Sequence, residues 1–397
     1  MNAMKAVPKF STRTAWDVAE TELARSIRER RNAGSSLIDL TASNPTRCGF
    51  DYNESVILGA LYDPGALVYD PNPRGMLAAR RAVAGYYQDH GAALDPENIF
   101  LTTSTSEAYS YLFRLLADAR DEVLIAQPSY PLFDFLAQLE DVRLVFYPLF
   151  YDHGWHLDIA ALRQHIGPRT RAIALVHPNN PTGHFTKPDE RQALEALCAE
   201  RGLALIVDEV FLDYTLSGEA AASFAADEHP ALTFVLSGLS KVSALPQMKA
   251  AWIAAFGPDP VVKTALDRLE IIADTFLAMN APIQCALPAW LAGRHPIQRQ
   301  IKSRLAENLN ALDATLASQK MVTRLDVEAG WYVILRVPAL GPDEDLAVRL
   351  VREHGVSVHP GSSFGFAQSG WLVLSLLASP AEFLAGTKII ISTFTEQ

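Results

Sequence analysis

Short runs of branched apolar residues alternate along this chain with longer stretches whose apolar positions recur every three to four residues. IFLTT (99–103), EVLIA (122–126), RLVFYPL (143–149), AIALVH (172–177), ALIVDEV (204–210), TFVLSG (233–238) and WIAAFG (252–257) predict strands. Between them, SEAYSYLFRLLAD (106–118), DERQALEALCAERG (189–202) and PVVKTALDRLEIIADTF (260–276) predict helices with one apolar face. A long amphipathic helix is predicted over 295–319, followed by the strand-like WYVILRVP, a short helix and the strand-like WLVLSLL.

Strands rich in Val, Ile and Leu that alternate with helices indicate an α/β fold whose sheet is mostly parallel and covered on both faces. The expected architecture is a three-layer α/β/α large domain over 47–290. A smaller α+β domain combines residues 1–46 with 291–397. In such sheets ligands gather at the carboxyl ends of the strands.

Composition changes this picture little. The chain has 397 residues, 49% of them hydrophobic and 20% charged, which suits a soluble globular protein. Its 34 basic and 45 acidic residues give a formal charge of −11, which argues against a nucleic-acid or anionic-membrane surface. Cys48, Cys198 and Cys285 are too few and too scattered for a disulfide framework or a metal site. No signal-like segment or membrane-length apolar run is present, so the expected location is the cytoplasm.

The candidate chemistry stands just past the predicted strand ends. HPNNPTG (177–183) follows AIALVH. Asp208 closes ALIV. Ser104, Thr105 and Ser106 follow IFLTT and open a helix. Lys241 follows TFVLSGLS. Each has an ordinary reading. Asn, Pro and Gly make turns, Asp caps or forms ion pairs, a serine before a helix is an N-cap, and lysines are mostly solvated. It is the order and spacing of the set that ordinary readings do not explain.

NNPTG, then VDEVF about 25 residues on, then SGLSK about 30 further, resembles the class I/II aminotransferases, fold-type I pyridoxal-phosphate enzymes with an aspartate-aminotransferase-like fold. YDPNPRG (69–75), DEVLIAQPSYP (121–131) and GWYVILRVP (330–338) extend the likeness from SNPT at 43–46 to PGSSFGF at 360–366. The resemblance implies that Lys241 forms a Schiff base with pyridoxal 5'-phosphate and then serves as a base. It implies that Asp208 pairs with the pyridine nitrogen, Asn180 binds the phenolic oxygen, and Tyr130 stacks on the ring. Ser104, Thr105, Ser106, Ser237, Ser240 and Lys249 are the phosphate candidates. Lys249 stands where the family usually carries an arginine, and it offers a point charge without the bidentate fork. Tyr69 resembles the tyrosine that reaches a neighbouring subunit's phosphate, which implies a homodimer with shared sites. Ser43, Asn44, Arg47 and Arg74 are the substrate-side candidates. Solvated surface ion pairs are the ordinary reading of the two arginines.

Two departures bear on function. Phe211 stands where the family usually has a tyrosine that donates to the phenolic oxygen, and phenylalanine cannot donate. Val373 stands where an arginine usually clamps the substrate carboxylate, and no arginine follows Arg352. Either Arg47 or Arg74 takes over, or the substrate lacks an α-carboxylate, or the chemistry has changed. The leading expectation is an aminotransferase with atypical carboxylate recognition. The alternative is a lyase, decarboxylase or other replacement or condensation enzyme on the same cofactor. A non-catalytic regulatory module is disfavoured by the presence of Lys241, Asp208 and Asn180 together.

Overall fold

The computed structural model describes residues 9–216, 218 and 221–395. Its main sheet has eight strands: β1 (Ile99–Thr102), β2 (Glu122–Gln127), β3 (Arg143–Tyr151), β4 (Trp155–Leu157), β5 (Thr170–Val176), β6 (Ala204–Asp208), β7 (Thr233–Gly238) and β8 (Ala251–Phe256). In space they run β1-β8-β7-β6-β5-β2-β3-β4. The five strands from β7 to β3 in that order pair in parallel. Strand β8 is antiparallel to both its neighbours, and β4 is antiparallel to β3. The sheet is therefore mostly parallel, as the pattern predicts, with antiparallel strands toward both edges.

Strand side chains alternate between faces, and here both faces are buried. Val123, Ile125, Ala174, Ile206, Phe234 and Ile253 enter one core. Leu124, Ile173, Leu175, Leu205, Val235 and Trp252 enter the other. The helices that cover the sheet are α1 (Leu77–Gln88), α2 (Thr105–Leu116), α3 (Phe133–Leu139), α4 (Pro188–Arg201), α5 (Asp259–Phe276) and α6 (Ala281–Ala292). Helices α2, α3 and α5 supply Leu112, Phe133 and Leu269 to the first core. Helices α1, α4 and α6 supply Val83, Leu194 and Leu287 to the second. Pattern alone does not predict α6, since Pro288 lies inside it.

The C-terminal part builds a four-stranded antiparallel sheet from β9 (Thr323–Arg324), β10 (Tyr332–Arg336), β11 (His359–Pro360) and β12 (Trp371–Ser375), ordered β9-β10-β12-β11. The long helix α7 (His295–Leu316) packs on the terminal helix α8 (Pro380–Thr395). The N-terminal segment joins this part. Ile38–Asp39 pairs in parallel with Val356–Ser357, and the Ser375 amide and hydroxyl donate to the carbonyls of Leu40 and Ala42.

The two parts meet at the NPTG turn. Gly183 has φ +69 and its carbonyl accepts from the amides of Glu328 and Ala329, the latter at 2.8 Å. A Cβ on Gly183 would lie 2.2 Å from the Ala329 oxygen. Only glycine combines that φ with so close an approach. Gly183→Ala is therefore expected to destabilise the fold by about 3 kcal/mol from crowding and the left-handed backbone. The denaturant midpoint measures this, and an unchanged midpoint would show that the 328–329 segment can withdraw freely.

Candidate active site

Three adjacent parallel strands, β5, β6 and β7, end at one edge of the sheet. Asn180 follows β5, Asp208 closes β6, and Lys241 lies in the short helical turn Leu239–Val242 after β7. Because β8 runs the other way, its beginning reaches this edge, which brings Lys249 there, two residues before Ala251. Beyond it the end of β1 leads through Ser104 into α2. Five separate segments thus converge, and they enclose a cavity of about 270 Å³.

The start of α2 forms one wall. The Ser104 hydroxyl accepts from the Glu107 amide at 3.1 Å, and the Glu107 carboxylate accepts from the Thr103 amide at 2.6 Å. This reciprocal capping fixes the helix end and leaves the amides of Thr105 and Ser106 in the first turn, where no intrahelical partner exists. Ser104, Thr105, Ser106, Ser240 and Lys249 all face the cavity. Amides at a helix start, hydroxyls and a cation are the groups a phosphate ester needs.

Asp208 and Lys241 line the same cavity. The Asp208 Oδ1 accepts from the Val210 amide at 3.1 Å. Burial pushes this carboxyl up to about 6, opposed by the Val210 N–H, by the charge of Lys241 and by the Tyr109 hydroxyl. Burial also lowers the proton affinity of Lys241, while Asp208 opposes that shift. The Lys241 Nζ lies 5.3 Å from the Trp331 ring centre and 5.8 Å from that of Phe211. Asn180 is buried, and its Oδ1 has no hydrogen-bond partner among the described residues. A buried acceptor left open on a cavity wall calls for a ligand donor or water. The residues present therefore suit pyridoxal phosphate at both its phosphate and its ring.

Several sequence-predicted residues lie elsewhere. Ser237 is fully buried and off the cavity, because adjacent strand residues face opposite ways; Gly238 lines the wall instead. Arg74 is committed: its guanidinium binds Glu270 at 2.7 Å and the Glu97 carbonyl at 2.6 Å, and it lies over Phe100. Within this chain it does not line the cavity. Asn44 uses its side chain to cap the turn at Thr46. Tyr69 is 72% exposed and away from this cavity. Ser43 lines the cavity, whereas Arg47 is exposed and its guanidinium makes no hydrogen bond or ion pair among the described residues. Tyr130 lines it as well. Val373 is fully buried in β12, opposite Ile334 and His359.

Tyr109, Phe133, Leu136, Phe211 and Tyr332 also line the cavity. Phe211 was singled out by its departure from the family pattern. Tyr109 carries a sequence signal, since it lies four residues past Thr105 on a helix that starts at the site. Tyr332 lies in the GWYVILRVP motif, though nothing local marks its ring as facing a ligand. A larger depression of about 530 Å³ lies behind the NPTG turn. Its charged groups are paired with one another, Arg191 with Glu195 and Lys187 with Glu328, and it contains none of the groups described above.

An α/β sheet that presents a partly buried lysine, a buried carboxylate and a helix start at one edge defines a cofactor-binding enzyme. The family Aminotransferase class I and II matches residues 60–382. The chain belongs to this family and is a pyridoxal-phosphate-dependent transferase. It is 26% identical over 342 residues to the glutamate-pyruvate aminotransferase AlaA of Escherichia coli K12, with 84% of each chain covered. It is 27% identical to the S-alkyl-thiohydroximate lyase SUR1 of Arabidopsis thaliana, covering 80% of this chain and 69% of that one. Its fold matches that of an alanine aminotransferase from Pyrococcus furiosus with a TM-score of 0.88 at 22% identity, over 98% of this chain and all (100%) of the other.

Two outcomes test the assignment of these side chains. Borohydride reduction of the pyridoxal-phosphate-loaded protein is expected to label the chain permanently, and Lys241→Ala to abolish the label. Labelling that survives in the variant would place the reactive amine elsewhere. Phe211→Tyr would add a donor beside the cofactor's phenolic oxygen, favouring its ionised form. The pH midpoint of the visible band is expected to fall by about one unit, the effect of one hydrogen bond to a charged oxygen.

Proposed function

We propose that the chain transfers an amino group between an amino donor and a keto acid, and that it recognises the substrate without the usual C-terminal arginine. The supporting observation is that partly buried Lys241 and buried Asp208 share the wall of one cavity that also holds a helix start and a cation. Pyridoxal phosphate, when bound, supplies an electrophilic carbon and a ring that takes up electrons. The protein's part follows from its side chains. Lys241 is the amine that holds the cofactor and, once displaced by the donor, moves a proton from the substrate carbon. Burial lowers its proton affinity, which makes the free amine more readily available as a base. Asp208 keeps a negative charge against the ring nitrogen. Asn180 would hold the phenolic oxygen, and Tyr130 would cover the ring. Phe133, Leu136 and Phe211 keep water from the reacting carbon.

With Val373 buried and Arg74 committed, Arg47 is the remaining arginine candidate for the substrate carboxylate. It lies four residues past Ser43 in the turn Pro45–Arg47. The working unit in this reading is a homodimer. Tyr62, Leu67, Val68 and Tyr69 form an exposed apolar stretch of the kind that marks an interface, and Tyr69 would complete the partner's phosphate site. The absence of an arginine at 373, and the likeness to a lyase, favour elimination chemistry as the second reading.

A spectral titration separates the two. An α-amino acid is expected to convert the visible band to that of the aminated cofactor, and a keto acid to restore it. Turnover with no aminated cofactor would favour the lyase reading. Arg47→Ala is expected to raise the KM for the amino donor about tenfold, as loss of a charged hydrogen bond would, with kcat little changed. An unchanged KM would remove Arg47 from the site.

A further inference from the structure

Tyr109 is 2% exposed, yet it lines the cavity. Its ring packs edge-on against Phe133 at 5.0 Å and tilts against Phe113 at 5.9 Å. Its hydroxyl is buried, lies beside the Asp208 carboxylate, and makes no aligned hydrogen bond with any atom of the described residues. Buried hydroxyls rarely stay unpaired, and the cost of doing so exceeds the net gain of an ordinary hydrogen bond. Packing alone would be served equally well by phenylalanine, which introduces no such cost. The donor therefore needs an acceptor, and the one beside it is Asp208.

The carboxylate has matching needs. The Val210 amide holds Oδ1. Lys241 acts on Asp208 through its charge rather than through a hydrogen bond. Helix α2 brings in Tyr109 one turn below the capped end, so the element that presents amides to the phosphate also delivers a hydroxyl to the far end of the cavity. A seven-residue helix, α3, buttresses that hydroxyl through Phe133.

We propose that Tyr109 is a positioning residue for Asp208: its hydroxyl is the second donor to the carboxylate, keeping it ionised and aimed at the cofactor's ring nitrogen. This rests on the assignment of Asp208 to that nitrogen. The groups acting on Asp208 are Val210 from the strand end, Lys241 from the turn after β7, and Tyr109 from α2. Removing one donor raises the proton affinity of the carboxylate. Loss of its charge on acidification then begins at higher pH.

The test compares Tyr109→Phe with the parent protein, each loaded with pyridoxal phosphate. The variant keeps the ring packing, so its thermal midpoint without cofactor should not fall. Its dissociation constant for the cofactor is expected to rise about tenfold, the loss of one hydrogen bond to a charged group. The acid limb of cofactor affinity should move to higher pH. An unchanged dissociation constant and an unchanged acid limb would overturn the proposal. Asp208→Asn is the control for the site itself. If that variant binds the cofactor as the parent does, the assignment of Asp208 fails. If it weakens binding and Tyr109→Phe does not, only the role of Tyr109 fails. A lowered thermal midpoint with normal affinity would mark Tyr109 as a packing residue and also overturn the proposal.

Discussion

The structure is organised around setting a partly buried amine beside a buried carboxylate at the edge of a sheet. An isolated charge in a protein interior is costly, and a buried pair is tolerated when other groups satisfy it. Asp208 and Lys241 meet this condition only partly. Burial raises the proton affinity of the acid and lowers that of the amine, and each charge opposes the other's shift. Such a pair adds little to stability. It is instead poised to change protonation state, which is the property proton transfer requires.

The strands provide the rigidity this requires. Parallel strands β5, β6 and β7 end side by side, and the backbone ladder fixes the spacing of Asn180, Asp208 and Lys241. The reversed strand β8 then brings a cation to the same edge, and β1 delivers a helix start beyond it. The N-terminal segment and the smaller sheet close the cavity with Ser43 and Tyr332. The substrate end is consequently shaped by parts of the chain that are far apart in sequence. The cofactor end is shaped by contiguous strand–loop–helix units.

This division explains the departures from the family pattern. Phe211 and Trp331 put two aromatic faces near the Lys241 amine, where a hydroxyl donor is the commoner arrangement in the family. Val373 belongs to the packed face of the smaller sheet and contributes volume there, not charge. Asp208, Lys241 and the start of α2 line one cavity, whereas position 373 holds a buried valine. Differences in chemistry on one fold arise from the site in this way.

Local sequence was enough to identify the strands, the NNPTG turn, and the places of Asp208 and Lys241. Apolar periodicity and turn-forming residues act over a few neighbours, so they can be read in one dimension. Other features depended on tertiary contacts. Strand parity turned Ser237 into the sheet and left Gly238 on the cavity wall. Glu270, 196 residues away, engaged Arg74, which does not line the cavity of this chain. The reversed direction of β8 placed Lys249, and the packing of α2 on the sheet set the Tyr109 hydroxyl against Asp208. The sequence alone determined which chemistry the chain carries. Tertiary structure decided which side chains are free to perform it, because a side chain's partners are set by packing between distant segments.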